Sequence, residues 1–162
     1  MYKEIDYHID KEILIDIFEG TDEFGINLLD YYKEATTRVP GLDKFAPVET
    51  IDKNTVMHHF PKNFFCDLKL PFEPISFRFV EYSNSDMFIH KDSKVKSRIG
   101  LVLKGHGDLV FYDKSKKEIA RTDLTKWTVF STQVLHGVER TPYRLSFQIG
   151  FSETFEEIVD AF

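Results

Sequence analysis

A mostly β domain with helices ahead of its strands, folded as a two-sheet jelly roll, is the fold class this sequence predicts from three observations. Before about residue 45 apolar residues recur at helical spacing. From about residue 55 the period changes to two, in short runs broken by turn residues, and strands at that density indicate a sandwich or barrel. The 162-residue chain is 42% hydrophobic with 16 Phe, enough for one ample core, and no Pro/Gly/Ser-rich linker divides it. The expected organisation is a single domain over 1–162, with 1–45 mainly helical support and 55–151 the core of a double-stranded β-helix. There is no internal repeat or low-complexity tract.

Segment 11–18 places Ile13, Leu14, Ile17 and Phe18 on one helical face, although Ile13, Ile15 and Ile17 also alternate as in a strand. Asp10 as N-cap and Gly20 as stop decide for the helix. A second helix is expected over 22–37, where Leu28, Leu29, Tyr32 and Ala35 form a stripe that Pro40-Gly41 closes. Strands are expected at 55–60, 75–82, 98–104, 108–112, 125–130, 134–138 and 143–151. Along the last, Leu145, Phe147, Ile149 and Phe151 share one face and Arg144, Ser146, Gln148 and Gly150 the other. The helices would cover the Leu/Phe face and leave the polar face to line a pocket. Glu139-Arg140-Thr141-Pro142 predicts a hairpin centred on Arg140, which would set His136 opposite Arg144 with Cβ atoms ~5 Å apart.

A net charge of −6 disfavours a dedicated nucleic-acid binder, whose affinity depends on neutralising phosphates. The charge is uneven, however. Segment 91–126 holds ten basic and five acidic residues, so it carries about +5 and the remainder about −11. Lys91, Lys94, Lys96 and Arg98 surround the His90-Lys91-Asp92 loop; solvated loop residues are the default reading of the lysines, and the sharper reading is a rim that steers an acidic peptide or phosphorylated small molecule. Cys66 is the single cysteine, which rules out an internal disulfide, suits a reducing cytoplasm and reads as a small packed side chain. No apolar run is long enough for a bilayer and no basic start precedes an apolar signal core, so a soluble cytoplasmic protein without a membrane partner is expected.

His-x-Asp occurs three times, where chance in a chain of this His and Asp content gives about half of one occurrence. His8-Ile9-Asp10 precedes any strand, and Asp10 is better used as a helix cap. His106-Gly107-Asp108 lies between two apolar alternations with glycines on both sides of His106, a hairpin-turn signature. His90-Lys91-Asp92 is preferred because Asp92 and His136 are 44 positions apart. That leaves room for four strands at the usual ~8–12 residue spacing, and in a jelly roll four strands return the chain to its starting neighbour. Two imidazoles and one carboxylate hold one face of a ferrous ion and leave the other open. Arg144-Leu145-Ser146 follows, and an arginine grips a carboxylate through two parallel hydrogen bonds while a hydroxyl two residues along the strand projects to the same side. Neighbouring His58 and His59 point to opposite sides of a strand and so do not share an ion. Trp127 is read as core.

His90-x-Asp92, the distal His136 and Arg144-x-Ser146 together resemble the 2-oxoglutarate- and Fe(II)-dependent oxygenases, over about 76–151. Lys104-Gly105-His106-Gly107-Asp108-Leu109-Val110-Phe111 looks like a segment of the prolyl-hydroxylase-like branch, as does Thr128-Val129-Phe130 with His136-Gly137-Val138. The resemblance implies Fe(II) on His90, Asp92 and His136, and 2-oxoglutarate anchored by Arg144 and Ser146 with Tyr82 in contact. Gln148, on the same face, would line the pocket or be solvated. It further implies conversion of 2-oxoglutarate to succinate and CO2, with hydroxylation of an unidentified substrate such as a peptidyl proline or a small metabolite, and allows ascorbate as a further cofactor. Retention of Asp92 implies hydroxylation, because halogenating relatives lack that carboxylate. The final strand departs from the Arg-x-Asn-x-Thr-x-Arg of nucleic-acid demethylases. A different class, a non-catalytic jelly-roll ligand- or metal-binding module, would keep the fold without the reaction.

Overall fold

The structure, a computed structural model, describes residues 1–20, 25, 27, 48–52, 54–60 and 68–162. In chain order the elements are β1 (Tyr2–Glu4), α1 (Lys11–Glu19), β2 (Val48–Asp52), β3 (Thr55–Phe60), β4 (Ser76–His90), β5 (Ser97–Gly105), β6 (Leu109–Tyr112), β7 (Glu118–Thr122), β8 (Thr128–Ser131), β9 (Leu135–Phe151) and α2 (Phe155–Asp160). The helix expected over 22–37 and Cys66 lie outside the described residues.

Two long strands organise everything else. β4 and β9 run antiparallel from Ser76 opposite Gly150 to His90 opposite His136. On its other side β9 changes partner: Leu135 to Val138 pair with β6, and Arg144 to Phe151 pair with β5. Each long strand therefore begins in one sheet and ends in the other. β4 bends where Asn84 takes a left-handed φ of 49° and the register shifts between Ser85 and Met87. One sheet reads β1-β8-β5-β9-β4-β3-β2, and β7 and β6 extend the second from the other end of β9.

This topology corrects two expectations. No hairpin forms at 139–142, since β9 is continuous, and His136 faces His90 and Phe111 while Arg144 faces Tyr82 and Gly105. Pro142 stands where β9 has left β6 and not yet met β5, so its missing N–H breaks no ladder bond on that side. Nor is 105–108 a hairpin turn, because β5 and β6 each pair with β9 and not with one another. It is the crossover between sheets, and it needs its glycine: Gly105 has a φ of +72°, and a Cβ there would collide with the Tyr143 carbonyl oxygen.

Strand parity divides the core in two. Phe77, Phe79, Ile99, Leu101, Phe147 and Ile149 face outward against Leu14 of α1 and Ile158 of α2. Val80, Tyr82, Val102, Leu109, Phe130 and Val138 meet between the sheets. Helix α1 forms as expected: the Asp10 carboxylate accepts from the Glu12 N–H at 2.9 Å, and Gly20 donates to the Asp16 carbonyl at 2.7 Å. Packed this way, the helix frees the inner faces of the strands for polar groups. α2 was not expected, although Thr154 and Glu157 form a reciprocal capping box whose spacing is visible in sequence. β1, β2 and β7 were also not expected; β7 has an exposed Ile119 and follows a turn in which Asp113 accepts from the Ser115 and Lys117 N–H groups.

Burial pushes the Tyr7 phenol up to about 12, and burial together with the nearby Glu81 charge does the same for Tyr143. Raised phenol pKa values favour the neutral form in the fold, so their stabilising contribution is complete below pH 10 and is lost as pH rises toward 12. The denaturant midpoint is expected to fall as pH rises from 10 toward 12, with at least three phenols, those of Tyr7, Tyr143 and the fully buried Tyr82, which burial also raises, missing from the tyrosinate absorbance titration until unfolding. Normal titration of all seven tyrosines in the folded protein would contradict this. Among the described residues no helix is long and apolar enough to cross a membrane.

Candidate metal centre

His90 is the last residue of β4 and His136 the second of β9, and the antiparallel register sets them directly opposite. Their ring centroids are 4.5 Å apart. Asp92 follows β4 by two residues, where its N–H bonds the Thr132 carbonyl at 3.2 Å and so ties the loop to the turn ahead of β9. Its Oδ1 lies 3.4 Å from His90 Nε2, and one ligand atom from each of the three residues falls within 4.8 Å of the others. The separate segments carrying His90-x-Asp92 and His136 thus converge.

Each imidazole is oriented by the same device. His90 Nδ1–H donates to the Phe88 carbonyl at 2.8 Å and His136 Nδ1–H to the Val134 carbonyl at 2.9 Å. Because a carbonyl only accepts, the proton is placed on Nδ1; this leaves the His136 Nε2 lone pair for a metal, while His90 Nε2 faces Asp92 Oδ1 and would take a metal in exchange for the proton it shares there. Asp92 Oδ2 is taken by Arg98, from Nε at 3.1 Å and Nη2 at 2.9 Å, while Oδ1 remains on the imidazole side.

The electrostatics follow from these contacts. Burial pushes His136 down to about 4, which keeps it neutral and ready to ligate at pH 7. The hydrogen bond with Asp92 raises His90, against burial. Burial also works to raise Asp92, but its bond to His90 and the charges of Arg98 and Arg78 outweigh that and hold it well below the usual carboxylate range. Arg98 positions Asp92 without facing the ion, so Arg98→Met should weaken Mn(II) binding roughly 10–100-fold, the usual cost of losing an outer partner. Titration of metal into the purified variant, beside a circular dichroism spectrum to check folding, is the measurement; unchanged affinity would remove Arg98 from the site.

The competing histidines lie elsewhere. His8 pairs with Asp6 at the surface, and Asp10 caps α1. His106 is exposed, and Asp108 is held by Arg121 at 3.0 Å. His58 meets the Phe18 ring while His59 bonds Glu49 at 3.1 Å, on opposite faces of β3. Trp127 is buried, edge-on to Phe147. Lys91, Lys94 and Lys96 are exposed around the loop.

Behind the imidazoles lies a cavity of about 20 Å³, room for roughly one water, lined by His90, His136, Arg78, Gln148 and Tyr82 among apolar neighbours. Gln148 accepts from Arg78 Nε at 2.9 Å and Nη2 at 2.7 Å. Arg144 lies level with Tyr82, its Cζ 5.6 Å from the ring centroid. It is completely buried, yet Nε, Nη1 and Nη2 have no hydrogen-bond partner, nor does the buried Ser146 hydroxyl. Burial lowers the pKa of Arg144. Sequence reasoning missed Arg78 as a site residue and placed Arg98 only among the basic residues around the loop, not on Asp92. A signal existed, since Arg78 shares strand parity with Tyr82 and Arg98 with Gly100 and Val102.

No protein-family profile and no curated protein matches the chain. Among solved structures it is similar to a 2OG-Fe(II) oxygenase family oxidoreductase from Burkholderia pseudomallei (13% identity, 80% of this chain and 78% of that one, TM-score 0.47). It is also similar to vicilin from Corylus avellana (12% identity, 67% of this chain and 32% of that one, TM-score 0.47). A salicylate 1,2-dioxygenase from Pseudaminobacter salicylatoxidans is a third (14% identity, 75% and 33%, TM-score 0.46). The chain spans about a third of the length of the vicilin and the salicylate dioxygenase. The mostly β, two-sheet architecture and the reading of the site both stand on this chain's own strands and residues.

Proposed function

We propose that this protein is an Fe(II)- and 2-oxoglutarate-dependent dioxygenase that hydroxylates a substrate carrying negative charge. One observation carries the reading. Against Tyr82, which lines the cavity under the two imidazoles, lies a fully buried guanidinium, Arg144, whose three nitrogens and neighbouring Ser146 hydroxyl lack hydrogen-bond partners. A buried charge is costly to leave unpaired, and a carboxylate offers the acceptors that a guanidinium fork and a hydroxyl would bond. The donor set also fits the metal: a neutral His136 with Nε2 free, a His90 whose Nε2 faces the Asp92 carboxylate and would exchange its shared proton for the ion, and a carboxylate kept ionised suit ferrous iron and leave one side open. When bound, iron and 2-oxoglutarate supply the oxidation of a C–H bond by dioxygen, with release of succinate and CO2. The protein orients the imidazoles, anchors the diacid and keeps water out.

Tyr82 would contact the co-substrate beside Arg144, and ascorbate would serve only to keep iron ferrous. The glycine likeness to prolyl hydroxylases does not identify the substrate, because Gly105 is already required by the crossover between sheets. A small acidic metabolite or acidic peptide is favoured by Lys91, Lys94 and Lys96 at the rim. Combining Lys94→Glu with Lys96→Glu is expected to flatten the salt dependence of kcat/KM for the true substrate; the same salt slope as the unaltered protein would end the steering idea. For the function itself, anaerobic mixing with Fe(II) and 2-oxoglutarate is expected to give a visible charge-transfer band, with succinate released in air. Metal uptake without band or succinate would instead identify a binding module.

A further inference from the structure

We infer that Arg78, presented by Gln148, is the contact for the metal-end carboxylate of the bound 2-oxo acid, so that the diacid is held by a guanidinium at each end. The inference rests on the 2-oxoglutarate reading above. Arg78 lines the same cavity as the two imidazoles, whereas Arg144 and Ser146 are not among the residues that line it. It is opposite Gln148 in the layer directly below Ser76 and Gly150, the layer that faces Arg98 and hence Asp92. Arg144 is four residues further along β9 from Gln148, roughly 13 Å of strand. The two arginines therefore address different ends of whatever occupies the space.

Charge points the same way. Arg78 gives its hydrogen bonds to neutral acceptors, the Gln148 amide oxygen and, from Nη1 at 3.3 Å, the Met57 sulfur. Asp92, the site's carboxylate, is already bonded by Arg98. Among the described residues the inner layers thus hold the guanidiniums of Arg78, Arg98 and Arg144 against the one buried carboxylate of Asp92, while Glu49 and Asp108 act on Arg78 and Arg144 only from positions open to water. A divalent cation would add to the excess, and a dianion offsets it. A thioether is a weak acceptor that a carboxylate oxygen readily replaces, so Arg78 can exchange Met57 for ligand while Gln148 keeps the guanidinium in place. The present cavity holds about one water, so such movement is also what admits a diacid.

The experiment is calorimetric titration of the Mn(II)-loaded protein with two probes, 2-oxoglutarate and 2-oxopentanoate, which share the 2-oxo acid end and differ in the distal carboxylate. Arg78→Gln is expected to weaken both by a similar factor, roughly tenfold or more for a lost bond to a charged group. Arg144→Met should weaken 2-oxoglutarate alone. Arg78→Lys, which keeps the charge but not the fork, should fall between, and unchanged Mn(II) affinity with a native circular dichroism spectrum marks the variants as folded. Equal affinities for Arg78→Gln and the unaltered protein would overturn the inference, as would a loss confined to 2-oxoglutarate, which would place Arg78 at the distal end. If the unaltered protein binds neither probe, the 2-oxoglutarate reading fails and takes the inference with it.

Discussion

His136→Ala is expected to abolish the charge-transfer band formed with Fe(II) and 2-oxoglutarate, and succinate release in air with it. The imidazole is a direct ligand candidate, so metal affinity should fall by more than the ~10–100-fold expected for an outer partner such as Arg98. It is also the ring that burial keeps neutral, so no proton competes with the metal at pH 7. The comparison that gives the experiment its force is His106→Ala. His106 belongs to a rival His-x-Asp but is exposed on the crossover, and its loss should leave metal binding, band and turnover as they were. Equal effects of the two substitutions, or a normal band in His136→Ala, would dismantle the proposed centre.

Arg144→Met is expected to move stability and affinity in opposite directions. With no ligand present, three nitrogens of a buried cation lack hydrogen bonds, and replacing them with an apolar side chain of similar length should stabilise the protein. The gain expected is about 1–4 kcal/mol, the range seen when buried ionic groups give way to apolar ones. In a domain of this size each kcal/mol raises Tm by roughly 2–4 °C. Co-substrate affinity should meanwhile fall about 100-fold or more, because two bonds to a carboxylate are lost at ~1.5–3 kcal/mol each. Thermal unfolding of the metal-free protein and 2-oxoglutarate titration of the metal-loaded protein measure the two effects. A destabilised Arg144→Met would mean that the guanidinium supports the fold, and the case for an absent anionic partner would collapse.

Much of the architecture can be read from period alone. The alternations at 55–60, 98–104 and 108–112 are strands within a residue of where they were expected, and Asp10 and Gly20 bound α1. The His90, Asp92 and His136 set is legible because strand count returns the chain to its starting neighbour. The segment at 139–142 is legible only in part: Arg140-Thr141-Pro142 is an equally good local signal for a reversal and for a strand passing from one partner to another. Pairing with β5 and β6, which is remote in sequence, decides between them. The burial of Arg78 and Arg98 was hidden for a related reason. An arginine in an alternating strand normally faces water, and here both faces of the sheet that carries β4 and β5 are covered, because α1 and α2 pack on one and the second sheet on the other. Segment 118–122 carries too little apolar character to stand out, and only its pairing with β6 makes it a strand.

The two imidazoles are cross-strand neighbours, each tethered to a carbonyl two residues back in the chain. A slip of one residue between these strands would turn one ring to the opposite side and separate the pair. Uptake of a divalent cation at stoichiometric concentration is therefore a sensor of alignment: a molecule zipped one notch out of place would bury its apolar surface tolerably and still fail to capture the ion.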